Sequence, residues 1–312
     1  MILRYHHLSR HQNVFKSMTG LTLKLFGEVE RDVEPRFSEA EIKRLSRPDR
    51  IRGLGGGREQ ELSIRDQILM TIVWLRCYPK QDVLGYLFGV SESSVSRVLN
   101  RVLPLLEASG RDTMRMPDPG RKRRRTLDEL LQETPELAVV IDSFEQRVQR
   151  HKERKEADRH YSGKKKQHTL KSQVAVDEEY GLFVDVADSV PGPTADIELL
   201  KQSDLLNRLP EGIGGIGDLA YIGIADLHPQ GKGATPRRKP RGKERPPEDI
   251  LYNQAFARRR IQVEHSIGLA RRFEALSQTD RHHRKNHTAR VVSVCGLVNR
   301  RLIKRHRLMD IA

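Results

Sequence analysis

The spacing of apolar residues changes once along this 312-residue chain, and that change limits the fold more than any other feature. Up to about residue 110, apolar residues recur every three or four positions, as Ile64, Ile68 and Ile72 do, which predicts amphipathic helices. From residue 135 onward, short apolar runs and alternating segments predict strands. We therefore expect an all-helical unit at residues 1–109, a basic linker at 110–134 and a mixed α/β unit of the α+β class at 135–312.

The order of elements in the second unit predicts a mixed sheet flanked by helices. "ELAVVIDSF" is a short apolar strand that ends in a carboxylate, and "QHTLKSQVAVDEEYGLFVDVADSV" predicts two strands joined by a turn. A helix in "TADIELLKQSDLLNRL", a buried strand in "GIGGIGD" and a long helix after residue 250 follow. Strands interleaved with helices in this way are typical of a sheet covered by helices.

The helical unit contains a pattern that is typical of a helix-turn-helix, at about residues 63–108. The short helix "QDVLGYLFGV" is followed by "SESSVSRVLNRVLPLL", in which Ser91 is a good N-cap. A second helix that opens with small polar residues suits the major groove of DNA, although a plain helical bundle gives the same pattern. The side chains expected to reach DNA are Ser93, Ser94, Ser96 and Arg97.

Charge favours a polyanionic partner. The chain has 57 Lys and Arg residues against 42 Asp and Glu, a formal net charge of +15, which suits double-stranded DNA but also fits a merely basic protein. No apolar run approaches the roughly 20 residues of a membrane span, and the first residues lack a signal-peptide core, so we expect a cytoplasmic protein with no membrane partner. Cys77 and Cys295 lie in apolar helical patterns and are expected to be core thiols.

Two further basic segments are candidates for phosphate contacts. Residues 110–127 form a Pro, Gly and Arg-rich stretch that predicts a linker or an arm along DNA. "YSGKKKQHT" places Lys164, Lys165, Lys166 and His168 at the start of a strand, where they would contact DNA phosphates or simply form a solvated hairpin end.

Three carboxylates are candidates for a metal site. Asp142 and Asp218 each end a predicted apolar strand, and Glu264 lies on the final predicted long helix. Neighbouring strand ends and a helix packed beside them bring such groups together, and oxygen ligands of this kind suit Mg²⁺. Each residue taken alone also fits a turn or a helix cap.

The motifs around these carboxylates resemble a known family. "VVIDSFEQRV", "YSGKKKQHTLK", "VPGPTADIELL", "GDLAYIG" and "NQAFARRRIQVEHSIGLARRF", in this order, are similar to DDE transposases of bacterial insertion sequences, in the insertion-sequence-five group related to the Harbinger superfamily. "FKSMTGLTLKLF" and the helix-turn-helix also resemble the N-terminal region of that group.

The resemblance implies an RNase H-like catalytic domain in which Asp142, Asp218 and Glu264 bind two Mg²⁺ ions, with Mn²⁺ as a substitute. It implies binding of terminal inverted repeats, cleavage at the element ends and joining of 3′ ends to target DNA, by a homodimer near the nucleoid. Arg260 and Arg271 match basic positions of the family and share a helical face with Glu264, which suits phosphate binding. The alternative is a transposase-derived DNA-binding regulator without catalytic activity.

Three other features have simpler explanations. The run Gly53–Gly57 predicts a flexible break, since no Gly-Lys-Ser/Thr follows it. His283 and His287 have helical metal-ligand spacing but no accompanying Cys or acidic residue, so we expect polar residues that face DNA. Asp196 matches a family position, and helix N-capping explains it.

Overall fold

The computed structural model describes residues 3–46, 61–121 and 126–308. The predicted break at Gly53–Gly57 lies outside the described residues. The first half is helical: α1 Tyr5–Leu8, α2 Gln12–Thr19, α3 Leu23–Leu45, α4 Ile64–Cys77, α5 Gln81–Phe88 and α6 Glu92–Arg111.

The second half mixes strands and helices. Its strands are β1 Leu137–Arg147, β2 Tyr161–Ser162, β3 Gln167–Asp177, β4 Phe183–Val186, β5 Val190–Pro191, β6 Ile213–Ile216 and β7 Gly233–Ala234. Its helices are α7 Arg154–Arg159, α8 Asp196–Ser203, α9 Leu205–Arg208, α10 Ile224–Leu227, α11 Pro247–Ala270, α12 Glu274–Ser277 and α13 His287–His306. The expected mixed α/β class is confirmed.

Local signals place the helix starts of the helix-turn-helix. The Ser91 hydroxyl accepts a hydrogen bond from the Ser94 backbone N–H, and Ser63 caps α4 in the same way through Asp66. Upstream, the sequence "SEAE" at residues 38–41 has the pattern of a helix start capped by Ser38, but α3 runs through it. There the Ser38 hydroxyl donates to the Glu34 carbonyl oxygen one turn back, so it supports the helix interior rather than capping a new one.

Strand β1 is the centre of a mixed sheet with the order β2-β3-β1-β6-β7, and β4 and β5 also pair with β3. It pairs antiparallel with β3 and parallel with β6. Since β1 is covered on both faces, Val140 packs in the cluster that includes α11 and α13, and Ile141 packs toward α8 and α9. The predicted end of the strand at Asp142 is wrong: β1 continues to Arg147, because β3 offers ladder partners that far.

One apolar core contains residues from both halves of the chain. Helix α6 packs on α13 with Gly110 against Gly296, where a Cβ on Gly296 would lie 2.3 Å from the Gly110 Cα. Within the predicted linker, residues 122–125 lie outside the described part, and Arg121 forms ion pairs with Asp177 and Glu179 at the β3–β4 turn. The division into units at 109 and 134 stays a prediction. In the described ranges, no helix has the length and apolarity needed to cross a membrane.

Candidate active site

The parallel pairing of β1 and β6 brings two of the predicted carboxylates to the same place. Val140 pairs with Ile216, and Asp142 and Asp218 each follow two residues later. Because strand side chains alternate, the Asp142 carboxylate leaves the sheet on the face that Val140 shares with Ile216, and Asp218 is near enough to raise the pKa of Asp142. Asp218 lies just past the end of β6, where its Oδ1 accepts a 2.9 Å hydrogen bond from the Ala220 backbone N–H.

Helix α11 covers that face and carries the third carboxylate. The buried Arg259 ties the helix down through a 2.6 Å ion pair to Glu178 and a 2.6 Å hydrogen bond to Thr134, just before β1. This anchor leaves the next residue, Arg260, pointing toward the strand, with its Nη2 3.9 Å from Asp142 Oδ2. Glu264 lies one turn further along, and its side chain is exposed to the same groove.

Asp142 carries charge that its surroundings neutralise poorly. The pKa of Asp142 is raised to about 6, mainly by burial and to a smaller extent by nearby Asp218 and Asp196, against the opposing effects of the Ser143 backbone N–H and Arg260. The Arg260 Nε is itself buried without a hydrogen-bond partner. A carboxylate crowded by like charge is a place where a bound cation is favourable.

Asp196 is a fourth carboxylate at this site, and its predicted role was wrong. Ala195, not Asp196, is the N-cap of α8, and the Asp196 Oδ1 instead accepts a 2.6 Å hydrogen bond from the Ser143 hydroxyl. It also lies 2.9 Å from the ammonium of the buried Lys171, which in turn binds the Thr194 carbonyl. The motif "PGPTAD" was a signal for it, but nothing local in that motif indicates contact with β1 and β3.

The carboxylates line an open groove of about 1220 Å³. Asp142, Asp196 and Glu264 lie on its walls, while Asp218 adjoins Asp142 from β6. The same groove has basic side chains, which suits a strand of DNA passing the carboxylates. They are Arg147, Lys164, Lys165, Lys171, Arg271 and Arg281.

The remaining predicted phosphate contacts lie near the groove. Lys166 is exposed at a turn in a left-handed conformation with φ of 54°. The His168 ring packs against Tyr161, and its Nδ1 lies 3.0 Å from the Ala157 carbonyl oxygen. Their contact with DNA stays a prediction.

The predicted recognition residues lie at the start of α6. Ser93 and Arg97 are exposed and bound to each other, since Arg97 Nη2 donates to the Ser93 hydroxyl over 3.1 Å. Ser94 and Ser96 are half-buried. These side chains therefore form one polar face at the N-terminal end of the helix, which is the end a recognition helix presents to base edges.

Two expectations from the sequence are wrong in burial. His287 is fully buried, with its ring nitrogens 2.8 Å from the Ser189 hydroxyl and the Gln146 side-chain oxygen, so it does not face DNA. Cys77 is exposed at the end of α4 rather than part of the core, whereas Cys295 is buried as expected. The apolar helical pattern around Cys77 did not specify which side of α4 faces the core, and the lack of nearby metal ligands did not specify the burial of His287.

The chemistry of the carboxylates fits a hard divalent cation, since Asp142 and Asp218 supply adjacent oxygens and Glu264 faces the same groove. Within residues 3–46, 61–121 and 126–308, no three His, Cys, Asp or Glu side chains are already close enough to hold one ion together.

Comparisons with known proteins agree with this organisation. Residues 141–299 match the family described as DDE superfamily endonuclease, and residues 60–112 match the helix-turn-helix of DDE superfamily endonuclease. The chain is 30% identical over 286 residues to a protein of Microchaete diplosiphon named "Probable transposase for insertion sequence element IS702", covering 91% of this chain and 93% of that protein. No solved structure is significantly similar to the chain.

Proposed function

Because the chain belongs to the DDE superfamily endonucleases, we propose that it is a transposase that binds the terminal inverted repeats of its own insertion sequence. It cuts the phosphodiester bonds at the element ends and joins the freed 3′ ends to target DNA. The observation that carries this proposal is that the pairing of β1 with β6 brings Asp218 near Asp142, which shares a basic groove with Glu264.

The proposed chemistry is two in-line displacements at phosphorus. Water attacks the phosphodiester at the element end and releases a 3′ hydroxyl, and that hydroxyl then attacks a target phosphodiester and displaces the target's own 3′ oxygen. Two Mg²⁺ ions held by Asp142, Asp218 and Glu264, with Mn²⁺ as a substitute, would activate the attacking oxygen and stabilise the departing one.

The side chains of the groove bind and orient the DNA. Arg260 lies beside Asp142 and Arg271 lies on the groove wall, so both are placed to hold phosphates next to the reacting bond. Lys164, Lys165, Lys166 and His168 contact the backbone further along. Ser93, Ser94, Ser96 and Arg97 read the repeat in the major groove.

Several narrower proposals rest on the sequence motifs. The catalytic half is RNase H-like, in keeping with a central strand that pairs antiparallel with β3 and parallel with β6. The element belongs to the insertion-sequence-five group, the protein works in the cytoplasm at the nucleoid, and two copies act together because an element has two ends.

A regulator without catalytic activity is the alternative, favoured by the separation of the carboxylates.

The test is cleavage of a DNA fragment that carries the element's own flanking sequences, in the presence of Mg²⁺. Asp142→Asn, Asp218→Asn and Glu264→Gln should each reduce cleavage at least ~10³-fold, since bound metal supplies several kcal/mol of transition-state stabilisation. The same variants should bind the fragment as the native protein does. Glu198→Gln, an exposed carboxylate of α8 outside the groove, is the matched control.

Two results would contradict the proposal. Cuts at the boundary that survive all three substitutions would remove the catalytic role of these carboxylates. Specific binding by the native protein without any cut would favour the regulator.

A further inference from the structure

A buried polar cluster connects the helix-turn-helix to the catalytic strand. The Asp280 carboxylate forms an ion pair with Arg290, and both side chains are 1% exposed. The same carboxylate accepts a 3.0 Å hydrogen bond from the hydroxyl of Tyr78, which lies about two hundred residues earlier at the end of α4. Arg281 donates to the Tyr78 carbonyl oxygen and stacks over its ring at 4.5 Å.

On one side, this cluster continues directly from the strand that carries Asp142. The Asp280 backbone N–H donates to the Arg147 carbonyl oxygen at the end of β1 over 2.8 Å, and Asp280 bridges in parallel to Val148. Gln146 of β1 also donates to the Ala275 and Gln278 carbonyl oxygens at 2.9 and 2.8 Å. Residues 275–280 are therefore fixed to the catalytic strand by backbone and side-chain hydrogen bonds.

On the other side, the cluster reaches the first helix of the helix-turn-helix motif. Tyr78 separates α4 from α5 and has a left-handed backbone with φ of 47°, which is unfavourable for a tyrosine by roughly 1 kcal/mol or more. The Trp74 ring packs edge-on against His282 with ring centroids 4.7 Å apart. The Gln81 side-chain nitrogen, at the start of α5, lies 3.5 Å from His282 Nδ1.

We infer that Tyr78 and Asp280 are positioning residues: they hold α4 and α5, which pack against the recognition helix α6, at a fixed place relative to the catalytic groove, and so determine which phosphodiester is cut. The inference rests on the proposed function. Buried, hydrogen-bonded ion pairs contribute little net stability compared with apolar packing, but they impose one geometry on the elements they join. Arg281 extends the same connection, since it both contacts Tyr78 and lines the groove.

The experiment maps the cut to the nucleotide on a duplex that carries the element end. In a substrate series, one or a few base pairs are inserted between the segment that the helix-turn-helix protects and the cut. The native protein should cut at an unchanged distance from the protected segment, because recognition and cleavage are at a fixed separation. Relative to the original element boundary, the cut should therefore move by the inserted length. Tyr78→Phe should keep the native affinity for the duplex but raise the fraction of cuts at neighbouring phosphates several-fold.

Tyr252→Phe is the matched control, since it removes another largely buried tyrosine hydroxyl, whose partner is the Thr235 carbonyl oxygen within the catalytic half. It should cut at the native position. Asp280→Asn, checked for folding by thermal unfolding, should disperse the cuts at least as much as Tyr78→Phe. One sharp, unchanged cut position in both Tyr78→Phe and Asp280→Asn would overturn the inference.

A second measurement does not depend on cleavage. Spin labels at Tyr86→Cys in α5 and Lys201→Cys in α8, both exposed positions, are placed in a Cys77→Ser background. The distance distribution should be narrow in this background and broader with Tyr78→Phe. If the native protein cuts no DNA, the proposed function fails, and equal widths with and without Tyr78→Phe would then overturn the positioning role independently.

Discussion

Two carboxylates lie at β1, Asp142 within the strand and Asp280 bonded to its end, and they differ in how their negative charge is balanced. Asp280, beyond the end of β1, is 1% exposed in its side chain and has Arg290 and the Tyr78 hydroxyl as direct partners. Asp142, in the middle of β1, has Arg260 only at 3.9 Å, is 22% exposed and is crowded by Asp218 and Asp196. Both side chains are carboxylates held by rigid elements.

The difference indicates what each cluster does. A buried carboxylate paired with its own arginine joins the two elements that carry the pair. A group of carboxylates without enough positive charge is less stable as it stands and gains most from a cation taken from solution. Charge balance therefore distinguishes the Asp280–Arg290 ion pair from the proposed metal site at Asp142.

The largest expected effect comes from replacing each of the two carboxylates by an uncharged amide and measuring the free energy of unfolding. Asp280→Asn should lower the free energy of unfolding by about 3–5 kcal/mol, because Arg290 is left buried without its partner. Asp142→Asn should raise it by about 1–3 kcal/mol at pH 7 without divalent cations, because the pKa of Asp142 is raised from 3.8 to about 6, so its ionisation opposes folding increasingly from pH 3.8 upward and fully above about pH 6. Urea unfolding of both variants measures this. If Asp142→Asn lowered the free energy of unfolding instead, the ionised Asp142 carboxylate would not be unfavourable in the folded protein.

The next effect is stabilisation by metal. Mg²⁺ at about 100 times its Kd should stabilise the native protein by about 2.7 kcal/mol through preferential binding to the folded state. Thermal unfolding with and without Mg²⁺ should show this increase in native protein and in Tyr252→Phe, and little of it in Asp142→Asn or Asp218→Asn. An equal increase in all four proteins would place the bound ion elsewhere.

Acid should lower the free energy of unfolding through two histidines near the Asp280–Arg290 ion pair. Burial lowers the pKa of His287 to about 4, with Arg290 adding to the effect, and His282 is shifted to about 4 for the same reasons. The unfolded chain takes up these protons near pH 6.5, whereas the folded protein does not until about pH 4, so stability is full above pH 6.5 and is lost as the pH falls.

His287 alone should account for about 2 kcal/mol between pH 7 and pH 5. His287→Gln should reduce that pH dependence, as measured by urea unfolding at the two pH values. A variant that loses stability in acid as steeply as the native protein would contradict the expected neutral, buried imidazole.

The smallest effect concerns the basic wall of the groove. Lys164→Ala should weaken DNA binding modestly and reduce the slope of log Kd against log salt by about 0.9, the value for one lost phosphate contact. Lys201→Ala, an exposed lysine of α8 outside the groove, should leave the slope unchanged. Equal slopes for the two variants would remove Lys164 from the path of the DNA.

Much of the fold was accessible from the sequence, because local signals determine it. The Ser91 cap, the β3–β4 hairpin, the buried strand β6 and the long helix α11 are found as predicted. The end of β1 was predicted wrongly at Asp142. A carboxylate in an apolar run is equally compatible with a strand end and with a strand interior that borders a groove. Ladder partners on β3 decide between them.

The candidate site shows the same limit. The alternation of strand side chains and the helical spacing from Arg260 to Glu264 could be derived from the chain, and the resemblance singled out the three carboxylates. The interaction of Asp196 with Ser143 and Lys171, and that of Tyr78 with Asp280, join residues far apart in sequence and leave no periodic pattern. Only the packed structure contains that information.

The crossing of α6 and α13 has a consequence for how such genes can change. Gly110 and Gly296 approach so closely that neither accepts a side chain, since an added Cβ would lie 2.8 Å from the Val292 carbonyl oxygen at Gly110 and 2.3 Å from Gly110 Cα at Gly296. A recombination event that replaced only the front part of the gene would have to supply a glycine at this crossing.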